Sequence, residues 1–235
     1  MSAIRHLKLF YYPASRSARV RWALHETVGD NFELEKVELY EGAQYSEFYR
    51  ARNPNHCVPL LEITWADGRV QQMIESAAMV EWLIDAHPEK SLSPPAHALS
   101  AQRADYLQML HFGGTWMDMA LRQIRVHEHI LPTEQRDACT VARYRKKFMD
   151  EIEPQLKRRL ERTPYICGEH FSGADIIIGH NVTWARGYKL CADELFRSYL
   201  SRVSKRPAFQ KAFSDVHEFR LEPPAHNQLT AQFTG

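Results

Sequence analysis

Cysteine is scarce in this chain and never closely spaced. The 235 residues hold four, Cys57, Cys139, Cys167 and Cys191. With no C-x-x-C pair, neither a zinc ribbon nor a dithiol redox motif is on offer, and nothing demands a disulfide. A reducing compartment suits such a chain, so a cytoplasmic location is expected. No apolar run approaches the ~20 residues of a membrane span. The first segment, MSAIRHLKLF, carries charges inside its apolar stretch, unlike a secretory signal, and no membrane partner is expected. Neither sign of charge is in surplus, since 30 Lys and Arg face 29 Asp and Glu, a net +1. That balance gives no steering field for nucleic acid, and the basic runs RYRKK (143–147) and KRRLER (157–162) read as solvated helix faces. The histidines are scattered. Those of HEH (127–129) lack the i, i+4 spacing of a helical metal site, so no metal is expected. Repeats and low-complexity tracts are missing too.

What is present is a change of texture along the chain. IRHLKLFYY (4–12) reads as a strand with Leu7, Leu9 and Tyr11 on one face. Residues 17 to 28 turn helical, with Val20, Ala23, Leu24 and Val28 on one stripe. NFELEKVEL (31–39) reads as a second strand. VPLLEIT (58–64) and RVQQMI (69–74) flank WADG, whose Asp67-Gly68 pair signals a hairpin. SAAMVEWLIDAH (76–87) is helical again. The order β-α-β then β-β-α, with a right-handed crossover, predicts an α/β thioredoxin-like N-terminal domain over residues 1–87. The Pro/Ser-rich PEKSLSPPAHA (88–98) is a linker. Beyond it strands nearly vanish, and an all-α helical domain is expected over 99–222. Two long helices at 99–131 and 134–162 are separated at Pro132. In FSGADIIIGH (171–180), Ser172 and Asp175 fit the N-cap and N3 of a capping box, and Phe171 and Ile176 fit its hydrophobic staple. The run that follows is expected to be a buried central helix. An irregular tail is expected over 223–235.

Three local signals coincide. NPNHCVPLLE places Val58-Pro59 just before a strand, where a proline can be cis. IESAAMVEWL puts Glu75-Ser76 at a strand-to-helix junction. The capping box falls in an all-helical second half. The combination resembles the cytosolic glutathione transferases over residues 4 to about 215.

The resemblance implies glutathione as co-substrate, a small apolar electrophile as acceptor, a homodimer, and a role in detoxification. It assigns backbone recognition of the cysteinyl unit to Val58 ahead of Pro59, a strand-like mode. The γ-glutamyl carboxylate falls to Ser76 at a helix start, where free N–H groups and the dipole favour an anion, and the α-amino group to Glu75. Arg16, Ser17 and His56 join as candidate glutathione contacts. His56-Cys57 departs from the family's usual pair here, which weakens the glycyl-carboxylate assignment. The acceptor is expected between the domains against YLQMLHFGGTWMDMAL (106–121). Met109, Phe112, Trp116 and Met119 recur there at helical spacing, methionine adapting its shape to varied apolar ligands, with Trp184 a further candidate. Gly113-Gly114 inside that helix is expected to open room or allow a bend.

The stretch YYPASRSARVRWAL (11–24) offers two hydroxyls to the glutathione thiolate. Tyr11 ends the first strand, where alpha, mu and pi-like members place a tyrosine. Ser15 starts the first helix four residues before Arg19, the spacing of delta and theta-like members and of bacterial relatives, and is the preferred donor. A backbone amide or Ser17 remains an alternative. Arg19 and Arg21 are expected to be solvated. Ala14, Ser15, Arg16 and Ser17 stand where disulfide-reducing members tend to carry cysteine. Glutathione-dependent reduction, peroxidase, lyase or isomerase chemistry, and a non-catalytic binding module, are the alternatives to transfer.

Overall fold

The computed structural model describes residues 3–97 and 99–223. From residue 224 on, the expected irregular tail lies outside the described residues. Strand β1 (Ile4–Tyr11) leads through helix α1 (Ser17–Thr27) to β2 (Glu33–Lys36); a short helix α2 (Glu47–Arg50) precedes β3 (Leu60–Trp65), β4 (Val70–Met73) and α3 (Ser76–Asp85). The sheet order is β2-β1-β3-β4, with β1 parallel to β2 and antiparallel to β3. This is the thioredoxin-like mixed sheet. The β3–β4 hairpin turns at Asp67-Gly68, where Gly68 takes φ +85°, a conformation that glycine adopts without steric cost.

Alternation along β1 sorts its side chains. Leu7 and Leu9 enter the main core with Val20, Trp22 and Leu24 of α1 and Met79, Val80 and Leu83 of α3. Phe10 and Tyr12 point the other way, into a second cluster with Val37, Tyr49, Val58 and Leu60.

The rest is helical. Residues 101–130 form one rod, α4 (Ala101–Phe112) and α5 (Asp118–Arg125), joined by a π-helical turn at Gly113–Met117 and followed by another at Val126–Ile130. A second rod holds α6 (Ala138–Lys147), a π turn at Phe148–Ile152, and α7 (Glu153–Leu160). The central helix α8 (Gly173–Gly187) is followed by α9 (Glu194–Val203) and α10 (Pro207–Ala212). At the start of α8 the capping box is formed. The Asp175 carboxylate accepts from the Ser172 N–H and O–H, and also from the Ile166 N–H and the Tyr199 hydroxyl. Burial pushes its carboxyl up to about 6 against those donors.

Gly113-Gly114 does not open space. A Cβ on Gly113 would stand 2.6 Å from Ile177 Cγ2, and one on Gly114 would stand 2.9 Å from Ala77 Cβ. The pair lets the rod approach α8 and α3 closely, while the π turn supplies the irregularity.

Candidate functional site

Three of the expected residues gather at one end of the sheet. The β1–β3 register pairs Phe10 with Leu60, so two residues further on Tyr12 stands beside Val58, and both lie in the second cluster. The Val58-Pro59 peptide is cis. Among the described residues neither the N–H nor the C=O of Val58 has a backbone partner. Ser15 folds back onto Tyr12, its hydroxyl donating to the Tyr12 carbonyl at 2.8 Å. Its Oγ also accepts from the Ser17 N–H at 3.2 Å and lies 2.9 Å from the Ser17 hydroxyl. Ser17 itself is fully buried and accepts from the Tyr12 N–H at 3.3 Å. The two serines therefore tie the end of β1 to the start of α1, with Ser15 half-buried and nearer to solvent.

Helix α3 begins at Ser76, as the sequence implies. Glu75 before it is exposed and holds φ +74°, a region costing a non-glycine residue ~1–3 kcal/mol that surrounding structure must hold. Its carboxylate has no partner among the described residues, so an exposed acid sits beside the open N–H groups of the first helical turn. His56 is exposed, also left-handed at φ +40°, with its ring 5.0 Å from that of Tyr45. Cys57 is exposed beside it.

The arginines depart from expectation. Arg19 is 0% exposed. It makes a two-pronged pair with Asp118 of α5, at 2.8 and 3.1 Å, and donates to Asn181 Oδ1 at 2.6 Å and Ser76 Oγ at 3.3 Å. The α1 face that periodicity would leave solvated is covered by α3, α5 and α8. Burial presses the Arg19 guanidinium pKa down, with Asp118 opposing. Burial also pushes the Asp118 carboxyl up, but Arg19 and Arg16 outweigh it and hold it below its usual range. Arg16 pairs with the same carboxylate at 2.7 Å and lies over the Trp184 ring. Arg21 is not solvated either, being paired with Asp215 at 2.7 Å and packed on Tyr11.

His180 joins this network, and its tautomer follows from its partners. Arginine only donates, so Nδ1 accepts from Arg19 Nη2 at 3.0 Å, and Nε2–H donates to the Ser15 carbonyl at 3.0 Å. Burial, then the Arg19 charge, pushes the imidazole down to about 3, so it stays neutral. Two segments far apart in sequence thus meet behind Ser15. The sequence carried one signal of this: a His-Asn pair inside the apolar run IIIGHNVTW, on a helix expected to be buried, needs polar partners.

Tyr11 lies on the Leu7–Leu9 face, half-buried. Burial, then the Asp215 charge, raises its hydroxyl pKa. It faces the C-terminal segment, whereas Tyr12 packs against Tyr40 and Phe219. The expected acceptor wall is dispersed. Met109 is buried in the core. Phe112 and Trp116 line a cavity of about 720 Å³ between the two rods, with Asp150 and Arg158 and none of the residues around Ser15. Met119 is half-buried on α5 beside Asp118. Among the described residues no group of acidic, histidine or cysteine side chains could hold a metal ion, and no helix is long and apolar enough to cross a membrane.

Comparison with known proteins agrees with this fold. Residues 9–91 match the family model described as glutathione S-transferase, N-terminal domain. The chain is 27% identical to glutathione S-transferase GstA of Escherichia coli O157:H7, over 88% of this chain and 98% of that protein. It is 27% identical to the disulfide-bond oxidoreductase YfcG of Escherichia coli K12, over 88% and 94% of the two chains. Among solved structures, the ternary complex of BphK, a bacterial GST, matches with a TM-score of 0.75 at 27% identity, covering 89% of this chain and 99% of that one.

Proposed function

This chain belongs to the cytosolic glutathione transferase family, and from that premise we propose that it binds reduced glutathione and transfers it to an electrophile with an apolar body. The observation that supports this best is the meeting of Ser15, Val58 and Ser76 at one end of the sheet, linked through Tyr12 and Arg19. In this reading the unpaired backbone of Val58, beside Pro59, takes the cysteinyl unit. The start of α3 with Ser76 takes the γ-glutamyl carboxylate, and Glu75 takes the α-amino group. Arg16 is committed to Asp118 and Ser17 to Tyr12, so both act as supports of the site.

The reaction starts with loss of the thiol proton to solvent. A free thiol has a pKa of about 8.5, so turnover near neutral pH needs the thiolate stabilised. Ser15 would donate its hydroxyl proton to the sulfur, exchanging it from the Tyr12 carbonyl, while the start of α1 adds its dipole field. The sulfur then attacks the electrophilic carbon. The C–S bond forms, and the leaving group departs with the electrons of its bond to carbon. The same thiolate would also serve isomerisation or disulfide reduction. We further propose a homodimer of the cytoplasm, to which the cavity between the rods, with the exposed Trp116 and side chains of both charges, lends a surface.

The test compares Ser15→Ala with Tyr11→Phe, following thiolate absorbance of bound glutathione against pH. Ser15→Ala should raise the apparent thiol pKa and cut turnover at least ~10-fold, about 1.4 kcal/mol of barrier. Tyr11→Phe should change little, and the opposite pattern moves the role to Tyr11. Calorimetry should show glutathione binding to the wild type and a clear loss in Glu75→Ala. Sedimentation at micromolar concentration should give twice the chain mass.

A further inference from the structure

Helix α5 turns one narrow face toward the thioredoxin-like half. Asp118, Arg122 and Arg125 lie at i, i+4 and i+7, so they fall within about one sector of the helix. Asp118 grips Arg16 and Arg19 of the α1 region. Arg125 donates to the Tyr40 hydroxyl at 3.1 Å, and Tyr40 packs edge-on against Tyr12. Arg122 stands between these two anchors, about 6 Å along the axis from Asp118 and ~4.5 Å from Arg125. It therefore faces the stretch between Ser15-Arg16 and the Tyr12–Val58 cluster. Unlike its neighbours it makes no hydrogen bond or ion pair among the described residues, and it is solvent-accessible. Partial burial, then the like charge of Arg16, holds its pKa below the usual value. The one carboxylate on this face is already shared by Arg16 and Arg19. The wall opposite the serine thus carries uncompensated positive charge, where the sequence pattern suggested apolar lining.

We propose that Arg122 makes this site select electrophiles whose apolar body bears a carboxylate, the guanidinium of Arg122 pairing with that carboxylate while Met119 packs against the body. This rests on the glutathione transferase reading above and narrows its substrate class. Arginine presents a planar fork that matches a carboxylate in two bonds. For a chloronitrobenzoate, glutathione sulfur bonds to the chlorine-bearing carbon, the C–Cl bond breaks, and chloride leaves with the pair; the carboxylate is a spectator that orients the ring.

The experiment uses the full chain with three ligands, glutathione, the glutathione conjugate of 4-chloro-3-nitrobenzoate and the conjugate of its methyl ester, and with the two parent electrophiles as substrates. By calorimetry the wild type should bind the carboxylate conjugate at least ~10-fold more tightly than the ester conjugate. Arg122→Gln should abolish that preference with glutathione affinity within ~2-fold, and Arg122→Lys should restore part of it. In turnover, Arg122→Gln should raise KM for the chloronitrobenzoate ~10-fold and leave the ester's KM and both kcat values nearly unchanged. A wild type that binds glutathione and shows no charge preference overturns the proposal and leaves the transferase reading standing. So does an Arg122→Gln variant that loses plain glutathione, since Arg122 would then serve the tripeptide's own carboxylate. A wild type that binds neither glutathione nor either conjugate overturns the transferase reading itself, and this proposal with it.

Discussion

Asp118→Asn is nearly isosteric, so it removes a charge without opening a cavity. The variant leaves Arg19, which is inaccessible to solvent, with hydrogen bonds to Asn181 and Ser76 but no counter-charge. Breaking one partner of a buried pair costs ~3–5 kcal/mol, chiefly because the survivor is stranded. Unfolding entropy of about 2.1 cal/mol/K per residue gives roughly 0.5 kcal/mol/K for a chain of this length, so Tm should fall by roughly 6–10 °C. Differential scanning calorimetry at pH 7 measures it. The double variant Arg19→Met, Asp118→Asn should recover part of the loss, because no buried charge is then unpaired. The pH dependence carries a second check. The folded Asp118 pKa lies below its unfolded value of about 3.9. The pair's stabilisation is therefore complete above that value and disappears as pH falls through the folded pKa. The gap between wild type and variant should hold at pH 5 and shrink below pH ~4. A Tm drop under ~2 °C at pH 7, or a gap that widens on acidification, would refute the reasoning.

His180→Gln should flatten the acid limb of the stability curve. The folded imidazole, pushed down to about 3, binds fewer protons than the unfolded one between ~3 and ~6.5, so the wild type loses stability as pH falls through that window. Asp175, raised to about 6, acts oppositely between ~4 and 6, so the comparison is between wild type and variant urea midpoints at pH 7 and pH 5, and equal slopes would contradict the buried-neutral assignment. Asp175→Ala strips four donors of their acceptor and should cost ~2–4 kcal/mol; Tm should drop while turnover per folded molecule stays near normal, and a stable but inactive variant would point to a chemical role instead. Gly113→Ala should destabilise by ~1–3 kcal/mol through the clash with Ile177 and Ile178, and an unchanged urea midpoint would contradict the close packing of the rod on α8.

The sequence by itself determined whatever local chemistry specifies. Alternation marked β1, an Asp-Gly pair marked the β3–β4 turn, and a capping box with its staple marked the start of α8, because each depends on residues a few positions apart. The same holds for Val58-Pro59 before β3 and for Ser76 at the start of α3. What only the tertiary structure decided is which polar groups are buried. Arg19 sits on a helix face that periodicity alone leaves in water; its partners Asp118 and Asn181 lie 99 and 162 residues away, and no local spacing announces them. The residues expected to form one acceptor wall lie apart in the fold for a related reason. The π turn at Gly113–Met117 winds the rod by less per residue than an α-helix, so the face of α5 is out of step with the spacing counted along α4, while Phe112 and Trp116 line the groove between the rods. The following turn presents Asp118, Arg122 and Arg125 to the serine. Helical spacing counted at one fixed pitch cannot register that change, and the close approach of Gly113 and Gly114 to α8 and α3 is made with residues distant in sequence.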